Sequence, residues 1–241
     1  MTTASHASLF MARFDEMRTP GEPGVANLPG MLFRQMGADT RAAATEPGSQ
    51  QAYRFLVLAL HADEAAANWS LDNRSAVAPF FEDAVEVWGA VLKPFRHLGE
   101  CNYLNAGAPG PLFATSESMV DPTEPIAIVT TVGWIVGENL DMNRVQQFST
   151  GVLGVRASMT GIEGLHSQQS FFFPGVLKHD PVTVSLWRNF AAARTFAYGP
   201  GVHRDQMLRL REKNLADRTS FTRFHIQRAE GTWHGRNPLE R

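Results

Sequence analysis

The chain has 241 residues, with 22 Lys and Arg against 24 Asp and Glu, and its net charge of −2 argues against a protein that works by neutralising nucleic-acid phosphates. Its length allows one large domain or two smaller ones, and 44% hydrophobic residues suffice for a sizeable core. The single cysteine, Cys101, excludes an intramolecular disulfide and zinc sites of paired thiolates, whereas eight histidines leave a metal role open.

The first half of the chain predicts three strands. Short apolar runs bounded by turn residues occur at 9–14, 53–60 and 88–92, and each has the length of a strand. Between them lie residues 28–36 and a run that begins at Asp63, where acidic residues followed by alanines are typical of a helix start. The predicted order is therefore βαβαβ, with residues 28–36 in the first helix position.

The second half follows a Pro/Gly-rich connection and repeats a similar order. We predict strands at 126–136, 181–187 and 221–227, and helices at 142–159, 190–198 and 203–215. The stretch between His166 and His179 is interpreted as irregular, and residues 171–174 within it as an insertion.

The two halves share a local pattern that indicates duplication. Residues 60–67 and 186–193 lie 126 positions apart, agree at four of eight positions, and both predict a strand, a polar turn and an alanine-rich helix. The prediction is an α+β fold of two ferredoxin-like halves, at 1–105 and 126–241, joined by a linker at 106–125. Each half has an antiparallel sheet covered on one face by helices, and the space between them could hold a planar ligand.

No integral membrane segment is expected. The longest apolar candidate, 126–136, is shorter than the roughly 18–20 residues needed to cross a bilayer and is interrupted by Thr130, Thr131 and Gly133. Residues 1–8 carry no basic region before a hydrophobic stretch, so we expect no signal peptide and a cytoplasmic location.

His203 is the histidine most suited to bind a ligand. The sequence 199–201, Gly-Pro-Gly, ends one helix, and in the next helix His203, Met207 and Leu210 fall on one stripe that faces the apolar side. A histidine presented inward from a helix suits an axial ligand of haem iron, with nearby arginines placed to meet the propionates. The alternative is a core or helix-start histidine that makes a local hydrogen bond.

The other histidines fit other positions in the predicted fold. His61 is expected at a turn, His6 in a mobile tail, and His166 and His179 at a pocket mouth. We expect the remaining three at the surface or at the ends of a barrel: His97, His225 and His234. The chain has no nucleotide-binding glycine motif, and Cys101 has no evident base beside it.

The C-terminal third carries a series of short motifs in a fixed order. They are T-V-S-L-W at 183–187, F-A-Y at 196–198, His203 at a helix start, R-E-K-N at 211–214, F-T-R-F at 221–224 and W-H-G-R-N-P at 233–238. This series resembles the spheroidene monooxygenase family of carotenoid biosynthesis, and the looser resemblance extends over about residues 53–240.

The resemblance implies a fold, a cofactor and a reaction. The fold is a dimeric α/β-barrel built from ferredoxin-like halves, the cofactor is haem b, and the reaction is O2-dependent insertion of oxygen into an apolar molecule. His203 matches the family's histidine and is the implied iron ligand. An external electron donor is implied as well.

The sequence also departs from the family's motifs. The run 129–133 lacks the arginine of the family's L-T-R-A-T strand, and Leu215 stands near the place of a tryptophan. Such changes alter what a pocket binds, so the predicted substrate is an apolar small molecule, carotenoid-like or aromatic.

Three kinds of function follow from these observations. The leading hypothesis is a haem-dependent monooxygenase whose pocket includes Trp187, Phe148 and Met207 beside His203. A second is a lyase or dehydratase that resembles the haem aldoxime dehydratases. The third is a haem-carrying or small-molecule-binding protein without turnover, or a cofactor-free barrel in which His203 is structural. In each case a homodimer is expected, because exposed sheet edges are commonly covered by a second subunit.

Overall fold

The computed structural model describes residues 3–18, 28–39, 52–100, 113–115, 121, 123–134, 141–173 and 180–240. Eight strands in these residues close into one barrel, and every pair of neighbours is antiparallel. Cys101, His179 and most of the predicted linker lie outside the described residues. The strands are β1 (His6–Arg18), β2 (Met31–Asp39), β3 (Ala52–His61), β4 (Glu86–Gly99), β5 (Ile126–Gly133), β6 (Leu165–Phe173), β7 (Asp180–Trp187) and β8 (Arg218–Gly231).

The helices pack outside the barrel, and three of them begin at a residue whose side chain caps the helix: Asp63, Asp141 and Asn189. The Asp63 side chain accepts a hydrogen bond from the backbone N–H of Ala66 at 2.8 Å, which confirms the predicted helix start. None of the helices in the described part of the chain is long and apolar enough to cross a membrane. The helices are α1 (Glu64–Asp72), α2 (Arg74–Val77), a 3-10 helix (Pro79–Asp83), α3 (Met142–Ser158), α4 (Phe190–Tyr198) and α5 (Val202–Glu212).

The order of the strands shows the duplication. The first half contributes the neighbours β4-β1-β3-β2 and the second half contributes β8-β5-β7-β6, so both halves have the 4-1-3-2 order of a ferredoxin-like sheet. The halves join through a long β4–β8 ladder and through a β2–β6 contact of two residue pairs. The predicted α+β fold of duplicated ferredoxin-like halves is therefore confirmed, while the exact limits of the halves stay a prediction.

The barrel interior is filled with apolar side chains. Successive residues of a strand face opposite sides, so Leu9 and Met11 of β1 point into the barrel, whereas Phe10 and Phe14 point toward the helices. Other strands contribute to the same interior, including Trp88 of β4. Because the interior is packed, space for a ligand has to lie outside it, between a sheet and its helices.

Three expectations prove wrong. Residues 28–36 do not form a helix, because Met31–Asp39 is a strand that pairs with β3 from Phe33↔Leu60 to Ala38↔Phe55. A short apolar run fits either structure, and here the sheet needs a fourth strand. The stretch after His166 is not irregular in its described residues, because it belongs to β6 and Phe171 fills the barrel interior. His6 is not in a mobile tail but is buried as the first residue of β1.

Candidate functional site

A cavity of about 400 Å³ lies between the second-half sheet and helices α3, α4 and α5. Cavities of this size are typical of sites for small organic ligands. The strand residues that form its floor alternate with residues of the barrel interior, as β5 shows, where Val129 faces inward and its neighbours face the cavity. The floor includes Ile128, Thr130, Val132, Thr183, Ser185, Trp187, Phe221 and Arg223.

The junction of α4 and α5 places His203 at the cavity. The Asn189 side chain caps α4 by accepting a hydrogen bond from the N–H of Ala192 at 2.9 Å. Gly199 and Pro200 end that helix, and Gly201 adopts φ 147 just before α5 starts. The predicted helix break is therefore confirmed, and His203 lies in the first turn of α5, folded back toward the end of α4.

The hydrogen bond of His203 determines which ring nitrogen is available. Its Nδ1 lies 3.2 Å from the carbonyl oxygen of Ala197. A carbonyl only accepts hydrogen bonds, so Nδ1 carries the proton and Nε2 keeps a lone pair. Burial lowers the pKa of His203, although the hydrogen bond to Ala197 raises it. The side chain is therefore a neutral imidazole at neutral pH, the form that binds a metal.

The structure brings all four predicted site residues to this cavity. His203, Trp187, Phe148 and Met207 each line it. The indole N–H of Trp187 donates to the Ser185 hydroxyl at 2.9 Å, and the Trp187 ring is stacked at an angle 5.4 Å from that of Phe196. That these residues contact a cofactor stays a prediction, because their position on one cavity wall does not identify what the cavity holds.

Two aromatic contacts keep the walls in place. The Phe196 ring lies 5.0 Å from the His203 ring, between His203 and Trp187. Phe148 packs edge-on against Trp134 at 5.3 Å. Such pairs orient rings as well as burying them, so the predicted lining residues belong to a fixed wall.

Polar residues that the sequence did not single out also line the cavity. The Gln206 amide is buried and its Nε2 has no hydrogen-bond partner in the described part of the chain. Arg223 is 8% exposed, and its guanidinium donates to the Tyr198 hydroxyl at 3.1 Å. The sequence signal for Arg223 is an arginine at an outward position of the strand at 221–224, but the partner of that position depends on the tertiary fold.

The described residues offer no metal site made from several protein ligands. No group of three or more His, Cys, Asp or Glu side chains within them is arranged to hold a metal ion. Among the described residues, His203 is the histidine that lines the cavity, and no second one does so. A metal at this cavity would thus come with its own ligands and take one from the protein.

Comparison with known proteins relates the fold to solved structures. No protein-family model matches the sequence, and no curated protein matches it. A crystal structure of aldoxime dehydratase matches with a TM-score of 0.55 and 9% identity, over 92% of this chain and 81% of that chain. An aldoxime dehydratase in complex with butyraldoxime matches with a TM-score of 0.52 and 8% identity, over 92% and 79%. At these identities the likeness shows that the chain shares its fold with these structures and no more.

Proposed function

We propose that the chain is a haem-dependent enzyme that holds haem b in the cavity under α3, α4 and α5, with His203 as the iron ligand. The observation that carries the proposal is the hydrogen bond from Nδ1 of His203 to Ala197, because it leaves the Nε2 lone pair on a residue that lines the cavity. Metal-bound histidines commonly donate their second nitrogen to a carbonyl in this way.

The residues around His203 fit the other parts of a haem. The ring system of haem is flat and apolar, and the cavity walls include the side chains of Phe148, Trp187 and Met207. Haem also carries two propionates, and Arg204 and Arg211 of α5 line the same cavity. An imidazole donor, apolar walls and cationic side chains are thus present together.

The chain's own residues have two tasks in this proposal. His203 holds the iron and, through its bond to Ala197, keeps a fixed orientation. Trp187, Phe148 and Met207 exclude water from the space that a substrate enters. Haem, when bound, supplies redox-active iron, and the resemblance to the spheroidene monooxygenase family makes an O2-dependent monooxygenase of an apolar small molecule the activity we propose first. An external electron donor is part of that activity.

A dehydratase of the aldoxime type is the second candidate. It is favoured by the fold, which matches aldoxime dehydratases with TM-scores of 0.55 and 0.52. The two activities differ in their need for an oxidant. A monooxygenase turns over only with O2 and a reductant, whereas a dehydratase neither consumes O2 nor oxidises its substrate, so turnover in anaerobic buffer separates the two.

The first test is haem binding by the purified protein. Titration of apo-protein with haem should produce a Soret band, and His203→Gly should lose it while free imidazole restores it. The control is His234→Asn, because His234 does not line the cavity and asparagine tolerates its positive φ of 59. A wild-type protein without a Soret band, or a His203→Gly variant with an unchanged spectrum, would contradict the proposal.

The proposal extends to assembly and location. We propose a homodimer, as the resemblance to the spheroidene monooxygenase family implies, and a location in the cytoplasm. The mass of the native protein, measured by light scattering, should be twice the 26.6 kDa of one chain, and a monomeric mass would refute the dimer.

A further inference from the structure

The cavity is lined by four arginines and by no acidic residue of the described chain. The arginines come from three elements: Arg156 from α3, Arg204 and Arg211 from α5, and Arg223 from β8. None of them has a carboxylate within 4.0 Å among the described residues. In a chain whose net charge is −2, this is a local concentration of positive charge.

Arg223 differs from the other three because it is buried in the cavity floor. Its residue is 8% exposed, and its guanidinium lies 5.1 Å from the centre of the Phe190 ring. A guanidinium has five N–H donors, and the Tyr198 hydroxyl is the acceptor found for one of them. A buried charge is unfavourable unless it is paired, and neither an aromatic face nor a phenol neutralises it.

The residues paired with Arg223 in the sheet carry no negative charge. The residue opposite it on β4 is Arg96, and the residue opposite it on β5 is the apolar Ile128. The Tyr198 hydroxyl accepts from Arg223, so its own proton stays available to donate to a third group. The arrangement therefore offers donors from Arg223 and Tyr198 to an anion, next to an apolar wall.

We propose that Arg223 and Tyr198 form a carboxylate-binding subsite where the floor of the cavity meets the exposed end of α4, and that the ligand of the cavity has an apolar body and a carboxylate. The inference rests on the cavity being the binding site of the proposed function, but it does not require haem. Two carboxylates have this chemistry, a propionate of haem and the acid group of an organic substrate. The planar guanidinium can bind either one through two parallel hydrogen bonds.

The experiment compares each acid with its ester. Apo-protein is titrated with cis-parinaric acid and with its methyl ester, followed by fluorescence, and separately with haem and with haem dimethyl ester, followed by absorbance. The variants are Arg223→Met and Tyr198→Phe. The control is Arg209→Met, since Arg209 lies exposed on α5 and does not line the cavity.

We expect the wild type to prefer the acid in at least one pair. Arg223→Met should lower the affinity for that acid by about 10- to 100-fold, as loss of a charged hydrogen-bond pair predicts. It should lower the affinity for the ester by less than about twofold. Tyr198→Phe should weaken the acid by a smaller factor, and Arg209→Met should change neither. The pair that responds identifies the source of the carboxylate.

Two results would overturn the subsite. One is a wild type that binds acid and ester with equal affinity in both pairs. The other is an Arg223→Met protein that still prefers the acid, or that loses affinity for acid and ester to the same extent. Arg223→Lys keeps a positive charge and is the control for a folding defect in Arg223→Met. It should retain part of the preference for the acid over the ester. Failure of the haem proposal is separate, because the His203→Gly titration reports on it and the parinaric pair involves no haem.

Discussion

Burial decides what the histidines of this chain do at the residue scale. His61, expected at a turn, ends β3 fully buried, and its Nε2 lies 2.9 Å from the Ser8 hydroxyl. Its Nδ1 has no hydrogen-bond partner in the described part of the chain. Burial lowers the pKa of His61 to about 4, so the folded protein holds this ring neutral.

The first prediction concerns acid stability. Between pH 6.5 and about 4 the unfolded chain binds a proton at His61 that the folded chain excludes, so this residue destabilises the fold as pH falls through that window. The effect is roughly 1.4 kcal/mol per pH unit. In urea unfolding at pH 7.5, 6 and 5, His61→Gln should therefore show a shallower loss of stability than the wild type.

A matched variant isolates the imidazole. Ser8→Ala removes the hydroxyl but keeps the ring, so it should retain the pH dependence of the wild type while losing stability at every pH. If His61→Gln and the wild type instead lose stability in parallel from pH 7.5 to 5, then His61 is not the group that titrates.

At the same scale, some site residues can be predicted from local sequence patterns, whereas others can be recognised only from the tertiary structure. Helical spacing was sufficient to place His203 and Met207 on one stripe, and Trp187 follows from strand alternation. Arg223 satisfies the same alternation, yet its importance depends on there being no carboxylate beside it among the residues that the structure describes. That absence is a property of the packed helices α3, α4 and α5, which no local pattern contains.

At the scale of elements, the sequence predicts the ends of helices correctly where capping residues begin them and Gly or Pro ends them. The predicted helix 190–198 agrees with α4 at both ends, because Asn189 caps its start and Gly199 and Pro200 end it. The sequence does not predict the strands β2 and β6, since the first is a short apolar run of ambiguous period and the second mixes glutamine, serine and phenylalanine. Both form because the other strands of their halves leave an edge that they complete.

Helix α3 supports the second prediction, through two glycines in different surroundings. A Cβ at Gly154 would lie 3.6 Å from a methyl carbon of Val202, an ordinary contact, whereas a Cβ at Gly151 would lie 2.1 Å from the Gln206 side-chain amide. Alanine is favoured over glycine inside helices by about 0.8–1.0 kcal/mol. Gly154→Ala should therefore raise the free energy of unfolding by about 0.5–1 kcal/mol, and Gly151→Ala should not.

The comparison also tests how closely α3 and α5 approach. In a Gln206→Ala background the side-chain amide that a Cβ at Gly151 would meet is gone. Adding Gly151→Ala to that background should therefore raise the free energy of unfolding by as much as Gly154→Ala does alone. Chemical denaturation of the four variants measures this. Equal stabilisation by Gly151→Ala and Gly154→Ala in the natural background would show that the Gln206 amide does not limit the approach of the helices.

At the scale of the whole molecule, the two halves differ in how they use the same layers. In the first half the space between sheet and helices is filled by an aromatic cluster that includes Phe10, Phe14, Phe55 and Phe81. In the second half the equivalent space holds the cavity. The duplicated fold thus provides one packed layer and one layer with room for a ligand, which is why the candidate site residues all follow residue 126.

The C-terminal motif at 233–238 has a structural role in this barrel. After β8 ends, the Trp233 side chain turns into the barrel interior, where it is 2% exposed. The next two residues, His234 and Gly235, donate their backbone N–H groups to the buried carboxylate of Glu86 at the start of β4. Arg13 donates to the same carboxylate at 2.9 Å. The motif is therefore fastened directly to Glu86 of β4, and through that carboxylate to Arg13 of β1.

The last prediction follows from that anchoring. Trp233→Ala should lower the free energy of unfolding by about 3–5 kcal/mol, the usual loss when a buried aromatic side chain leaves a cavity. Trp69→Ala is the matched control, because Trp69 lies on α1 and is 36% exposed, so its loss should cost much less. Trp233→Phe, which refills part of the space, should fall between them. Since the His203 cavity lies outside the barrel, the Trp233 variants that stay folded should still bind haem with wild-type affinity; a proportional loss of haem binding would instead mean that the barrel interior and the ligand layer are coupled.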